Sequence, residues 1–182
     1  MKLLIRMLIL TILMLVIAAG LIALQPDHFQ VRRSIRIQAA PATIFPLISR
    51  SRAWAEWTYW HKADPEMQRQ YKGPAQGKDA EWEFQSRTQG NGGVRFTEVY
   101  ADQAVYYETH LEGLLRHANG SLVLVPEGPQ QTTVLWEIHA NTGDNWLARA
   151  LVPFADRIIG SEFETGLQKL KEVSEQSAQR AH

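Results

Sequence analysis

The chain has 182 residues, 45% of them hydrophobic and 21% charged, and its formal net charge is zero. That balance is globular rather than disordered, and the length fits one domain with an appendage. Scattered basic residues lack the footprint of nucleic-acid binding, and the absence of cysteine excludes disulfides, thiol nucleophiles and thiolate metal sites.

From Met7 to Leu24 the run MLILTILMLVIAAGLIAL carries no charge. It would make roughly 27 Å of helix at 1.5 Å per residue, close to the hydrocarbon thickness of a bilayer. A membrane anchor is expected. A cleavable signal peptide is the rival, because Lys2 and Arg6 form a basic leader, but the apolar run is long and no A-x-A site closes it. Lys2, Arg6 and the terminal amine favour an inside tail, while Arg32, Arg33 and Arg36 compete from beyond the span. A soluble domain on the extracytoplasmic side follows. Residues 1–28 then form the anchor and a short linker, and residues 29–178 the globular domain.

FQVRRSIRI, residues 29–37, alternates as a half-buried strand with Val31, Ile35 and Ile37 on one face. PATIFPLISRSRAWAEW places Pro41 at a first helical position and Pro46 where it limits the element, so short helices are expected. Between Gln68 and Ala140, five alternating runs separated by turn signals predict a meander of antiparallel strands. Their apolar faces carry Trp82 and Phe84 in EWEFQS, Phe96 in VRFTEVY, Tyr107 and Thr109 in AVYYETHLE, Leu122 in NGSLVLV, and Trp136 in TTVLWEIHA. The last segment changes period. Leu147, Leu151, Phe154, Ile158, Phe163, Leu167 and Leu170 recur at helical steps, with Asn141, Thr142 and Asp144 as cap candidates. Pro153 and Gly160 argue for a break, so the long helix is expected from about Ser161. This is an α+β pattern, an antiparallel sheet whose apolar face is covered by one C-terminal helix, with a pocket in the gap.

Several strings carry a resemblance. Trp54, Trp57 and Trp60 form W-x-x-W-x-x-W; Asp64, Pro65 and Met67 form D-P-x-M; Tyr71, Gly73, Pro74 and Gly77 form Y-x-G-P-x-x-G. Near the end, Gly160, Phe163, Gly166, Leu167 and Leu170 form G-x-x-F-x-x-G-L-x-x-L. With these the chain resembles the SRPBCC superfamily, the START-like, polyketide cyclase/dehydrase and lipid-transport-related proteins, and in particular its bacterial membrane-anchored members. The resemblance implies a helix-grip fold, a curved antiparallel sheet wrapped around a long C-terminal helix, enclosing an apolar cavity for a hydrophobic small molecule or lipid. Asp79 stands where that family tends to have glycine.

Candidate chemistry is sparse. GPAQGKD, residues 73–79, is too short and lacks the Ser/Thr of a phosphate loop, and reads as a hairpin turn. The six histidines show no metal-ligand spacing, so neither metal nor other cofactor is expected. Glu98 shares a face with Phe96 by alternation, and is a weak candidate acid or base, the alternative being a carboxylate paired with Arg69 or Arg95. Trp54, Trp57, Trp60, Tyr71, Trp82, Phe84, Phe96, Tyr107, Thr109, Trp136 and Phe163 are the candidate ligand-binding residues. For the tryptophan cluster, core packing, cavity lining and membrane contact all remain open. The expected function is membrane-anchored binding of a hydrophobic small molecule or lipid. Acid–base catalysis like that of a polyketide cyclase or dehydratase, and a structural role with a filled pocket, are the alternatives.

Overall fold

The computed structural model describes residues 2–180. Helix α1, Lys2–Ala23, is exposed from residue 3 to residue 21, and its part Leu3–Ala23, with mean hydropathy 2.6, is long and apolar enough to cross a membrane. Its junction with the domain is held by hydrogen bonds. Arg149 Nε donates to the Gln25 carbonyl at 2.7 Å, and the backbone N–H and hydroxyl of Thr142 donate to the Asp27 carbonyl at 2.7 and 2.9 Å.

The domain is built on a seven-stranded antiparallel sheet in the order β1-β7-β6-β5-β4-β3-β2. The strands are β1 His28–Ile37, β2 Gln68–Lys72, β3 Glu81–Ser86, β4 Gly90–Tyr100, β5 Ala104–Leu111, β6 Leu115–Gly128 and β7 Gln131–Asn141. Five strands were expected after Gln68; the sixth is β2, whose sequence QRQYK has no apolar alternation to announce it. It is an edge strand defined by pairing with β3, and its polar side chains suit an unpaired edge. In β1, Val31 and Ile37 are buried as expected. Arg33 shares their face and reaches the last helix.

Between β1 and β2 lie α2 Pro41–Ser49, a 3₁₀ turn Ser51–Ala53, α3 Trp54–Trp57 and α4 Tyr59–Ala63. Pro41 opens α2 as the sequence predicts, and the helix runs on through Pro46, which forgoes only its own bond to the Ala42 carbonyl. After β7 come α5 Trp146–Leu151, a 3₁₀ turn Val152–Phe154 and the long α6 Ala155–Arg180. The α5 cap is Asn145, whose side chain accepts from the N–H groups of Leu147 and Ala148, rather than Asn141, Thr142 or Asp144.

Helix α6 starts at Ala155, ahead of the expected Ser161, and passes through Gly160 unbroken. The glycine makes room for an ion pair. A Cβ there would lie 2.1 Å from Arg33 Nη2, and the Arg33 guanidinium reaches Asp156 at 2.8 Å and Glu164 at 2.6 Å from β1. The apolar stripe expected along one side is in fact two. The five-residue step from Ile158 to Phe163 rotates the phase by roughly 140° at 3.6 residues per turn. Phe163, Leu167 and Leu170 are buried on the sheet, while Leu147, Leu151, Phe154 and Ile158 are exposed.

Candidate functional site

The gap between sheet and α6 is occupied by aromatic side chains. The Trp54 ring lies 5.1 Å from Trp57, 5.0 Å from Trp82, 5.5 Å from Phe96 and 5.2 Å from Tyr107 by centroid. From α6, Phe163 stacks on Trp136 of β7 at 3.8 Å with the rings 5° from parallel. The indoles sink here because each N–H finds an acceptor. Trp54 Nε1 donates to the Ile48 carbonyl at 2.8 Å, Trp57 Nε1 to the Leu47 carbonyl at 2.9 Å, and Trp136 Nε1 to Tyr107 Oη at 2.7 Å. Burial raises the Tyr107 hydroxyl pKa well above the ordinary phenol value, against the opposing effect of that hydrogen bond.

The side chains expected to wall a cavity therefore pack on one another. Beside Trp54 a void of about 10 Å³ remains, lined by Ser51, Trp54, Ala55, Thr58, Trp60, Met67, Arg69, Tyr71, Trp82 and Phe84. That is room for about one water molecule. Trp60, Tyr71 and Phe84 are half-buried at its rim, and the Arg52 guanidinium sits 4.3 Å over the Tyr71 ring. Thr109 stands apart, its hydroxyl donating to the Gly93 carbonyl within the sheet at 2.9 Å.

Register places this rim relative to the anchor. The start of β1 pairs with the end of β7, and successive antiparallel partners bring the β5–β6 turn, the β3–β4 turn and the start of β2 to the same end of the sheet. Met67, just before β2, and Phe84, near the end of β3, belong to that end. It is the end from which α1 leaves.

Glu98 is not an interior group. A bulge in the β4–β5 ladder between Phe96 and Glu98 breaks the two-residue period, so Phe96 is buried and Glu98 exposed, accepting from the Tyr100 hydroxyl at 2.7 Å. Arg95 pairs with Glu108 instead. A different acid, unmarked by any motif, lies near the rim. Glu162 of α6 accepts from Trp60 Nε1 at 3.0 Å, and burial raises its pKa while that hydrogen bond partly offsets the shift.

An acid with a raised folded-state pKa binds more protons folded than unfolded. Its contribution is fully present below the unfolded pKa and is lost as pH rises through the folded value. Glu162→Gln keeps an acceptor for Trp60 and is expected to raise the unfolding midpoint at neutral pH, with the gain disappearing below about pH 4, under the unfolded-state glutamate pKa. Urea titrations at both pH values check this; an equal effect at both would remove Glu162 ionisation as the cause.

Glu137, although on the outer face, is buried. Burial alone would raise its pKa, but Arg32 at 2.9 Å and His139 at 2.7 Å hold it below the usual glutamate value, and Gln30 donates to it as well. This is a cross-strand brace. The GPAQGKD segment is more than a hairpin turn: Gly77 N–H donates to the Ser49 carbonyl and Ser51 N–H to the Ala75 carbonyl, docking it on α2. Asp79 holds φ at 64°, a left-handed conformation that explains why glycine suits this position. No metal-binding group of three or more acidic or histidine residues exists among the described residues, of which His182 is not one.

Residues 28–175 match the family model described as polyketide cyclase / dehydrase and lipid transport. No curated protein matches the chain in sequence. Among solved structures, the di-domain ARO/CYC StfQ from the steffimycin biosynthetic pathway is similar with a TM-score of 0.65 and 11% identity, over 84% of this chain and 52% of that one. Norcoclaurine synthase from Thalictrum flavum is similar with a TM-score of 0.60 and 9% identity, over 81% and 94%. A protein from Thermobifida fusca gives 0.56 and 20% identity, over 81% and 94%. At these identities the neighbours establish the fold, a helix-grip sheet around a C-terminal helix. The chain belongs to the polyketide cyclase/dehydrase and lipid transport family.

Proposed function

We propose that this family member is a membrane-tethered binder that takes up a hydrophobic small molecule or lipid through the aromatic rim at the anchor end of the sheet. The observation that carries this is the position of Met67 and Phe84, at the strand end from which α1 departs, around a void that Trp60 also lines. Apolar molecules partition into the bilayer at that end, so a tether raises their local concentration at the rim. The interior is closed by packed side chains, and α3 and α4, of four and five residues, are short α-helices over it. Uptake requires them to shift together with Trp60. Catalysis by Glu98 loses its basis with that carboxylate exposed. A second reading is favoured by the void of about 10 Å³: a pocket filled by its own aromatics, leaving a structural role.

Native mass spectrometry of the full chain, released from mild detergent, tests the first reading. An apolar molecule retained on the protein, or one taken up from a panel of phospholipids and isoprenoids, is the expected result. A protein that emerges bare and takes up nothing from the panel overturns it and leaves the filled interior.

A further inference from the structure

The exposed stripe Leu147, Leu151, Phe154 and Ile158 has no partner among the described residues, although it begins on α5, which touches α1. With Trp146 beside it, these side chains are between 39% (Leu151) and 68% (Trp146) exposed. At about 100° per residue, or about 120° through the 3₁₀ turn, the four aliphatic and phenyl side chains stay within an arc of roughly 60–80°, and the right-handed helical backbone at Leu151, Val152 and Ala155 continues it across Pro153. Such a contiguous apolar face marks an interaction surface rather than scattered exposure.

Its surroundings identify the occupant. A groove of about 620 Å³ is shared by Leu15, Ala19 and Ile22 of α1 with Trp146 and Arg149 of α5. The bonds from Arg149 to Gln25 and from Thr142 to Asp27 fix α5 against the end of α1. The stripe thus starts on α5, the helix that packs beside the domain end of α1. Trp146 is an indole, the side chain that favours the membrane boundary, and the exposed Arg157 lies beside the stripe as a cation.

We infer that α5 and the first turn of α6 form an interfacial helix that lies in the headgroup region of the bilayer containing α1. The domain is thereby docked on the membrane in a fixed orientation rather than swinging on its linker. This rests on reading α1 as a membrane span.

The absence of native cysteine makes single-site labelling unambiguous. In full-length protein reconstituted into phosphatidylcholine/phosphatidylglycerol vesicles, Leu151→Cys, Phe154→Cys and Ile158→Cys would carry an environment-sensitive fluorophore. Gln103→Cys, on the exposed turn at the far end of the sheet, is the aqueous control, and Leu13→Cys the control within the span. The expected result is blue-shifted emission at 151, 154 and 158, lost to quenchers carried at shallow acyl positions, with no loss at 103. Quenching at 13 with water-exposed labels at 151, 154 and 158 overturns the docking and leaves the anchor intact. No quenching at 13 sinks the span reading, and the stripe is then judged by its own labels. Shielded labels that lipid quenchers cannot reach, together with cross-links between copies, overturn the bilayer in favour of a second copy of this chain.

Discussion

Trp54→Ala is expected to destabilise the domain by about 3–5 kcal/mol, the range for removing a buried tryptophan and leaving its cavity. The position justifies the upper end of that range. Trp54 is 1% exposed, and its ring meets those of Trp57, Trp82, Phe96, Tyr107 and Trp136, so no single neighbour can move in to fill the space. Its N–H also leaves the Ile48 carbonyl. Urea unfolding in detergent, followed by far-ultraviolet circular dichroism, measures the loss; a midpoint within about 0.5 kcal/mol of the parent, the scale of a surface substitution, would mean that Trp54 is not the hub of the core. The same variant bears on function. An apolar cavity of that size stays dry and binds small aromatic molecules. If Trp54→Ala, and not the parent, takes up such a probe, the filled interior gains support.

The architecture was legible because its signals are long. The uncharged run of α1, the alternation in β1 and β3 to β7, and the helical period of α6 each extend over many residues, and their types follow from burial of one face. What escaped is local. A bulge at Phe96 and Glu98 inverts the face of everything beyond it, and no residue type announces a bulge there. Edge strand β2 has no apolar face to alternate. Glu162 sits in a polar helical stretch, and its burial depends on Trp60, 102 residues away, which no spacing rule can reach.

The candidate site shows the same division. Aromatic residue types on one face of the sheet are readable from alternation, so Trp82, Phe96, Tyr107 and Trp136 are expected to share it, whereas the sequence leaves core, cavity wall and membrane contact open for Trp54 and Trp57 of α3. Whether such residues surround a space or consume it depends on ring positions to within an ångström or two. The close stacking of Phe163 on Trp136 and the crowding around Trp54 settle it towards consumption. The two phases of α5 and α6 have a related origin. A stripe read by step size alone merges faces that a five-residue step separates, and the exposed half of it begins on α5, the helix that lies beside α1.

Gly120→Val is the second large effect. Asn-Gly is a dipeptide common in tight turns, yet Asn119-Gly120 lies inside β6, with Gly120 opposite both Tyr107 and Ile138. The reason is the Tyr107 ring. A Cβ at Gly120 would fall 2.1 Å from its Cζ and 2.4 Å from its Oη, so the tyrosine lies flat across a strand position that only glycine leaves vacant. Any side chain at 120 displaces Tyr107, which is buried and cannot swing into solvent. Its movement breaks the hydrogen bond from Trp136 and disturbs the edge-on contact with Trp54. Overpacking of this kind costs about 1–3 kcal/mol, and the stranded indole N–H adds about 1–3 kcal/mol more. Gly120→Val should therefore approach Trp54→Ala in severity. The double variant Gly120→Ala with Tyr107→Leu, which removes the ring that Cβ would strike, should recover part of the loss. Equilibrium unfolding of Gly120→Val, of the double variant and of its two single variants decides it: if Gly120→Val is neutral, or the double variant is no better than the sum of its parts, the glycine is not there for the tyrosine.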